Sequence, residues 1–354
     1  MQAIIDQLTA TIRTAAANRM PLCIRGGGSK DFYGGPLRGD AFNVGAYRGI
    51  VDYDPTELVI TARAGTPLAE IEAVLREQGQ MLAFEPPHFG SNSTLGGCIA
   101  AGLSGPRRPY TGAARDFVLG VRMLDGAGND LRFGGQVMKN VAGFDVSRLM
   151  AGSLGTLGVI LEVSLKMLPL PATETTLCRA QTAAEAIALV NEWAARPLPV
   201  SATAWTEGNL MVRLSGAAAA VDAAAKKLGG ERIPAEAAAR FWQGIRGHTD
   251  PFFNGGQPLW RLSLKSTTPP LNLPGAQLIE WGGALRWLAT GADARTVRAA
   301  AAFGGGHATL FRGGDKSTGV FQPLPPALLT IHRKLKQTFD PAGILNPGRL
   351  YDWM

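Results

Sequence analysis

The chain has little of the chemistry that metal centres and disulfide scaffolds require. Its 354 residues include three cysteines and four histidines. Cys23, Cys98 and Cys178 stand far apart and form no C-x-x-C pair, which excludes an iron–sulfur cluster held by this chain alone and fits a reducing compartment. Cys23 lies in an apolar run and reads as a buried thiol. His88, His248, His307 and His332 nowhere fall at ligand spacing, so no metal site is expected. No stretch has the length and apolarity of a transmembrane helix. Near the start, Ile4, Ile5, Leu8 and Ile12 recur at helical spacing, but Asp6, Gln7 and Arg13 interrupt any signal-peptide core. Charge is sparse at 18%, with 35 basic against 28 acidic residues and a net charge of +7. Lys and Arg are scattered, and Arg107-Arg108 sits between Pro106 and Pro109, so no nucleic-acid stripe forms. The modest excess suits an anionic cofactor, an acidic substrate or a membrane-facing partner, and equally an ordinary basic surface.

Glycine, by contrast, is abundant at 45 residues. It concentrates in three segments that each follow an apolar, strand-like run: Arg25-Gly26-Gly27-Gly28-Ser29-Lys30, then Ser93-Thr94-Leu95-Gly96-Gly97 continuing to Gly102 and Ser104-Gly105, then Gly152-Ser153-Leu154-Gly155-Thr156-Leu157-Gly158-Val159. Without a Cβ, backbone N–H groups can converge on an anion. Three such loops exceed one phosphate contact and suggest a cradle around a long ligand with a diphosphate at its middle. The first loop is not a dinucleotide fingerprint, because no helix pattern opens directly after it. Gly313-Gly314-Asp315-Lys316-Ser317 is not a phosphate loop of the Walker type, because Asp315 takes the glycine place before the lysine.

Periodicity predicts a helix over 2–18, a strand at Leu22–Arg25 and a strand pair within Gly49–Ala64. A helix from Pro67 to Gln78 with Thr66 as its N-cap follows, and later strands at Phe117–Leu124, Asp130–Phe133 and Val159–Met167. Pro169 and Pro171 mark a lobe boundary. Beyond them the order strand, helix, strand, strand, helix over Thr175–Leu228 opens a ferredoxin-like split βαβ unit. The Ala217–Ala225 run is helix-forming alanine and needs no function.

Taken in order, these segments resemble the FAD-binding oxidoreductases of the vanillyl-alcohol oxidase type, also called the PCMH-type FAD domain. The first loop is similar to their pyrophosphate loop, and Thr94-Leu95-Gly96-Gly97 with Gly102, Ser104 and Gly105 to their second. Tyr110, Gly112, Arg115 and Asp116 are similar to a tyrosine-glycine and arginine-aspartate stretch, Gly152–Gly158 to a Gly-Ser-Glu-Gly-Thr-Leu-Gly element, and Asn346-Pro347-Gly348-Arg349 to the family's ending. Leu154 stands where that element has glutamate, and Thr111 separates Tyr110 from Gly112. Arg107–Tyr110, Ala114–Phe117, Val137–Asp145 and Gly305–Arg312 further resemble the small flavin-binding subunits of bacterial glycolate oxidases.

The resemblance implies an α+β fold: a PCMH-type FAD domain of two αβ subdomains over residues 1–170, a ferredoxin-like cap over 171–315, and a tail over 316–354 returning to the FAD domain. It implies FAD held non-covalently by Arg25, Gly26, Gly27, Gly28, Ser29, Lys30, Pro87, Thr94, Leu95, Gly96, Gly97, Gly102, Ser104, Gly105, Tyr110, Gly112, Asp116, Gly152, Gly155, Thr156, Gly158, Val159, Asn346 and Arg349. It further implies a larger FAD-binding paralogue and an iron–sulfur subunit as partners, oxidation of glycolate to glyoxylate by the assembled complex, and a cytoplasmic place at the inner membrane reached through those partners. Catalytic relatives carry a His-x-Gly-Asp-Gly-Asn-x-His stretch whose counterpart here, Gly304–Leu310, keeps only His307. His307 and Arg312 are therefore weak catalytic candidates. A self-contained 2-hydroxy-acid dehydrogenase would use Arg261, Arg286 or Arg312 to grip a carboxylate, and a third reading makes the FAD structural. Trp193, Trp205, Trp242, Trp260, Trp281 and Trp287 all fall in the cap, where they would line a pocket, face a partner or fill the core. The tryptophan-bearing cap is expected to dock the partner, with Arg107 and Arg108 adding a charged contact.

Overall fold

A computed structural model describes residues 1–135 and 145–354. Most of the stretch Val137–Asp145 singled out above thus lies outside the described residues. The first helix, Gln2–Asn18, buries Ile5, Leu8, Ile12 and Ala15 on one face and ends at Arg19 in the left-handed conformation. That face packs on Leu22, Phe42 and Val44 and on Ile344 and Leu345 of the tail. Strand Leu22–Arg25 pairs in parallel with Asp40–Asn43. On its other side Leu22 donates to Ile344 O at 2.7 Å and accepts from Asn346 N at 3.0 Å. The tail is thereby stitched to the first strand.

A five-stranded antiparallel sheet follows, in the order Ile50–Asp54, Val59–Arg63, Val159–Lys166, Val118–Leu124, Asp130–Gly134. Its central strand at Val159–Lys166 is buried on both faces. Leu161 points to the N-terminal αβ layer, and Ile160, Val163 and Leu165 to helices Leu68–Glu77 and Leu95–Ala101. The expected cap at Thr66 is displaced: its hydroxyl accepts from Gly49 N at 2.8 Å instead, and the helix opens at Leu68 behind Pro67.

The strands between 173 and 312 form one eight-stranded antiparallel sheet. Thr173–Ala180, Val200–Thr206, Asn209–Gly216 and Glu231–Ile233 stand in the spatial order 4-1-3-2 with helices Ala183–Ala194 and Ala218–Leu228 on one face. This completes the ferredoxin-like unit. Leu259–Ser263, Ala276–Glu280, Leu285–Ala289 and His307–Arg312 repeat the same order in mirror sequence, joined to the first unit where Val200–Thr206 pairs with Ala276–Glu280. The second copy keeps only its second helix, Ala294–Phe303; residues 264–275 connect its first two strands without one.

The face of this sheet opposite those two helices, on which helix Ala235–Gly247 packs through Trp242 and Ile245, closes over the glycine loops. Tyr33, Leu103 and Leu154 pack against Ile245, Phe253, Trp281, Trp287 and Phe311 in one buried cluster. The docking expectation for the tryptophans is therefore corrected. Trp193, Trp242, Trp260, Trp281 and Trp287 are buried, and their indoles fill the sheet's two faces. Trp242 donates to Thr176 Oγ1 at 2.9 Å, Trp281 to Gly105 O at 3.0 Å and Trp287 to Glu280 Oε2 at 2.7 Å. Arg107 is likewise no surface contact: it is buried in an ion-pair network with Glu85 and Glu174 that Arg213 completes. Arg108 lies with its guanidinium 4.4 Å from the Trp281 ring.

Candidate functional site

The three glycine loops and the tail meet around an open cleft. It is lined by Arg25, Gly26, Gly27, Gly28, Ser29 and Lys30 of the first loop, Thr94, Gly96 and Gly97 of the second, Gly155 and Gly158 of the third, and Asn346 and Arg349 of the tail. The amide N–H groups of Gly27, Gly28, Ser29 and Lys30 donate to no acceptor among the described residues. Buried or half-buried N–H groups are almost always paired. Four consecutive unpaired donors in a cleft make an anion-binding concavity.

The tail and two cations fix this loop. Asn346 accepts from Ile24 N at 2.6 Å and donates to Leu154 O at 2.6 Å, so one side chain clamps the first loop to the third. Arg349 is buried and donates to the carbonyls of Asp31, Tyr33 and Gly35. Lys316 donates to Phe32 O at 2.6 Å and Gly34 O at 2.9 Å. With these carbonyls drawn toward the tail, the amides before them are left facing the cleft. Lys30 bends into the second loop, donating to Ser93 Oγ at 2.7 Å and His88 O at 3.3 Å; burial lowers its pKa. Burial raises the Cys98 thiol to about 11, so it stays protonated.

The remaining expected cofactor residues stand behind or beside the cleft. Leu95 and Val159 are core. Thr94 caps the helix that follows it, accepting from Gly97 N at 3.3 Å. Gly102 ends that helix in the left-handed region, close enough to Gly152 that a Cβ would stand 2.8 Å from Gly152 N. Thr156 is buried and donates to Ser153 O at 2.7 Å. Asp116 accepts from Ala113 N at 2.8 Å, ordering the turn around Gly112, while Tyr110 lies partly exposed. Ser104 accepts from Ala114 N at 2.9 Å. Pro87, Ser104 and Gly105 line a second cavity, between the second loop and the eight-stranded sheet. Sequence reasoning missed Asp31, which pairs with Arg25, and seven apolar wall residues, among them Ile24, Ala100 and Leu154, which carried no signal separating wall from core. Leu154 adopts a left-handed backbone conformation, and its side chain joins the aromatic cluster where the resemblance places a glutamate.

The catalytic candidates lie away from the cleft. His307 begins an edge strand opposite Ser263, its pKa lowered by burial and then by Arg261. Arg312 stands 4.9 Å from the Phe32 ring and 6.0 Å from that of Phe89. Arg286 is fully buried on the face away from the glycine loops; its Nε donates to Gly283 O and its Nη2 to Thr268 O, both at 2.7 Å, and its Nη1 is buried without a partner among the described residues. Arg286 therefore lies apart from the glycine loops.

The glycine residues and free amides fit an FAD diphosphate, and comparisons with known proteins agree. A family profile described as "FAD binding domain" matches residues 3–134, and one described as "FAD linked oxidases, C-terminal domain" matches residues 313–350. The glycolate oxidase subunit GlcE of Escherichia coli (strain K12) is 50% identical over 99% of this chain and 97% of its own length. The glycolate oxidase subunit GlcD of Bacillus subtilis (strain 168) is 32% identical over 49% of this chain, and only 37% of that longer protein is covered. Among solved structures, p-cresol methylhydroxylase superposes with a TM-score of 0.71 at 14% identity, over 98% of this chain and 87% of that one. Alkyldihydroxyacetonephosphate synthase gives 0.65 at 16% identity, over 97% and 74%. At such identities these two report the fold alone. With half its residues shared along nearly its whole length with the E. coli subunit, the chain belongs to the GlcE family of FAD-linked oxidoreductase subunits.

Proposed function

We propose that this chain is the small FAD-binding subunit of a glycolate oxidase complex that converts glycolate to glyoxylate. The observation that carries the reading is the cleft of four unpaired amides held open by Asn346 and Arg349. In this reading residues 1–170 and 316–354 form the FAD lobe and 171–315 the cap. The amides of Gly27 to Lys30 hold the diphosphate, Gly155, Gly158 and Asn346 hold the neighbouring stretch of cofactor, and the flavin is bound without a covalent link. Bound FAD supplies a two-electron acceptor. The chain's own residues bind and orient it, and the sheet face carrying Trp281, Trp287 and Phe311 keeps water from the seam.

The partners in this reading are a larger FAD-binding paralogue and an iron–sulfur subunit, which take electrons onward to the respiratory chain. Two features support a partner for electron exit. This chain's three cysteines are free and dispersed, and no described helix is long and apolar enough to cross a membrane. The complex would work at the cytoplasmic side of the inner membrane. The test is expression of the chain alone and with its partners, followed by flavin release and glycolate-dependent dye reduction. The lone chain should be yellow, release FAD on acid precipitation and turn over little glycolate; the assembled complex should turn it over. A colourless chain that takes up no FAD, or full activity from a lone monomer, refutes the proposal.

A further inference from the structure

We propose that the cap takes part in holding the cofactor without touching it: Arg246 is a positioning residue that, by pairing with Glu72, keeps the Lys30 ammonium available to an anionic group in the cleft. The inference rests on the reading above for the identity of that group.

None of the residues lining the cleft comes from the cap. Lys30 lines it from the first loop, and its ammonium meets only neutral oxygens: Ser93 Oγ at 2.7 Å, and Ser29 Oγ and His88 O at 3.3 Å. No carboxylate lies within ion-pair distance of it among the described residues. Arg25, the other cation of that loop, is already paired with Asp31. A buried cation without an anion is costly, and the unpaired amides of the same loop mark where an anion settles.

His88, one of the acceptors of Lys30, belongs to a segment fastened to the cap. Arg246, near the end of helix Ala235–Gly247, donates through Nε to Pro86 O at 2.9 Å and through Nη2 to Glu72 Oε1. His88 Nε2 lies 3.2 Å from both Glu72 Oε2 and Arg246 Nη2. The backbone of this segment is strained. Glu85 and Phe89, on either side of Pro86-Pro87-His88, both occupy the left-handed region, with φ of 48° and 54°. Such residues persist where their surroundings fix them. Here the fixing groups come from both lobes: Lys30 holds His88 O, Arg246 holds Pro86 O, and Arg213 of the sheet pairs with Glu85.

Glu72 is the group that makes Arg246 matter to Lys30. Burial acts to raise its carboxyl, but His88 and Arg246 outweigh that and hold it below the ordinary carboxylate range, so it is ionised at neutral pH. It stands near Lys30: after burial, the charges acting on the Cys98 thiol are those of Lys30, Glu72 and Arg246. With the guanidinium in place, Glu72 is already matched. Without it, a half-buried carboxylate is left to compete with the cofactor for the Lys30 ammonium. Closure of the cap therefore decides whether Lys30 serves the cofactor or Glu72.

The test is titration of the deflavinated full chain with FAD by fluorescence quenching. Lys30→Met and Arg246→Met should each weaken FAD by about tenfold or more. In Lys30→Met, adding Arg246→Met should change the affinity by less than about twofold, because the ammonium it acts through is gone. In Arg246→Met, adding Glu72→Gln should return most of the loss. A general loss of stability would do neither, and Arg286→Met, on the far face of the sheet, is the control whose effect should add to that of Lys30→Met. Should Arg246→Met not fold, reciprocity supplies a second readout on the wild type. FAD should slow hydrogen exchange in helix Ala235–Gly247, and Lys30→Met at saturating FAD should lose that protection. Additive losses at Lys30 and Arg246, no rescue by Glu72→Gln, or exchange in that helix indifferent to FAD overturns the inference and leaves the FAD reading standing. A wild-type chain that takes up no FAD overturns both.

Discussion

Gly27→Ala tests the cofactor cradle with a single methyl group. Gly27 is not among the residues with left-handed backbone, so alanine meets no conformational penalty there. Space is the obstacle. A Cβ at Gly27 would stand 2.6 Å from the carbonyl carbon of Asn92 and nearer still to its oxygen. Both are backbone atoms of the second loop, so no rotamer change relieves them. Carbon–carbon contacts settle at about 3.5 Å, and the nearer Asn92 oxygen demands still more, so the two loops must part by more than about 1 Å. Overpacking of this kind costs about 1–3 kcal/mol of stability.

The effect on the cofactor is larger than that on the fold. A displacement of about 1 Å carries an N–H out of the hydrogen-bonding range of about 2.7–3.2 Å. Bonds to a charged group contribute about 1.5–3 kcal/mol each, and one or two of the four amides would be lost. The expected loss is about 2–4 kcal/mol, or roughly 30- to 1000-fold in Kd for FAD. The assay is titration of deflavinated protein with FAD by fluorescence quenching, beside thermal denaturation. Gly255→Ala is the control: a Cβ there meets nothing within 4 Å, and both readouts should stay within about 0.5 kcal/mol of wild type. Wild-type FAD affinity in Gly27→Ala would show that the first loop does not hold the cofactor.

Lys336→Met removes the buried ammonium that donates to Thr156 O, Asp340 Oδ2 and Leu345 O, leaving the buried Asp340 carboxylate with the Ile344 and Leu345 amides but no countercharge. Chemical denaturation should show a loss of about 3–5 kcal/mol, and an unchanged midpoint would refute the assignment. Arg107→Ala strands Glu85 and Glu174 with Arg213 as their remaining partner, so a similar loss of about 3–5 kcal/mol is expected. Flavin release should move to lower temperature in the same variant, because these ion pairs join the loop to the sheet. For pH, burial raises Glu280 to about 8, so the folded chain keeps a proton that the unfolded chain loses near 4.5. This contribution to stability is full below about 4.5 and falls as pH climbs to about 8, by at most ~1.4 kcal/mol per pH unit. Urea denaturation of Glu280→Gln should show a flatter profile over that window than wild type, and parallel profiles would count against the shift.

The glycine loops were legible because their signal is local. Each follows a strand, and the residue type itself states that backbone approaches something. Thirteen of the expected cofactor residues line the cleft, among them Asn346 and Arg349 from the far end of the chain. The structure adds that part of the glycine content serves loop-on-loop contact, as at Gly27 against Asn92 and Gly102 against Gly152. Composition cannot separate that use from ligand approach. The first ferredoxin-like unit was legible from its order of strands and helices. The second was not, because residues 264–275 replace its first helix and leave no periodic pattern to read. The tryptophans misled for a related reason: Trp281 and Trp242 donate to Gly105 O and Thr176 Oγ1, distant in sequence, and Trp287 to Glu280 Oε2 on the neighbouring strand, so nothing local showed that these indoles would be satisfied inside.

The choice among Arg261, Arg286 and Arg312 shows what the topology supplies. Side chains on a strand alternate between faces. In Leu259–Ser263, Trp260 and Leu262 meet the helix Ala294–Phe303, so Arg261 turns to the glycine loops. In Leu285–Ala289, Leu288 meets that helix and Trp287 meets the loops, so Arg286 is turned away. In the edge strand, Ala308 and Leu310 face the helix, and by alternation Arg312 would follow them. The register instead shifts there: Trp260 pairs with Leu310 but Leu259 pairs with Arg312, leaving Phe311 as an extra residue. This bulge turns Arg312 back over Phe32 and Phe89. One strand parity therefore places Arg261 in the seam, the same parity removes Arg286 from it, and a single inserted residue returns Arg312 to its rim. Deleting the bulge should turn Arg312 to the helix face and leave Arg261 in place.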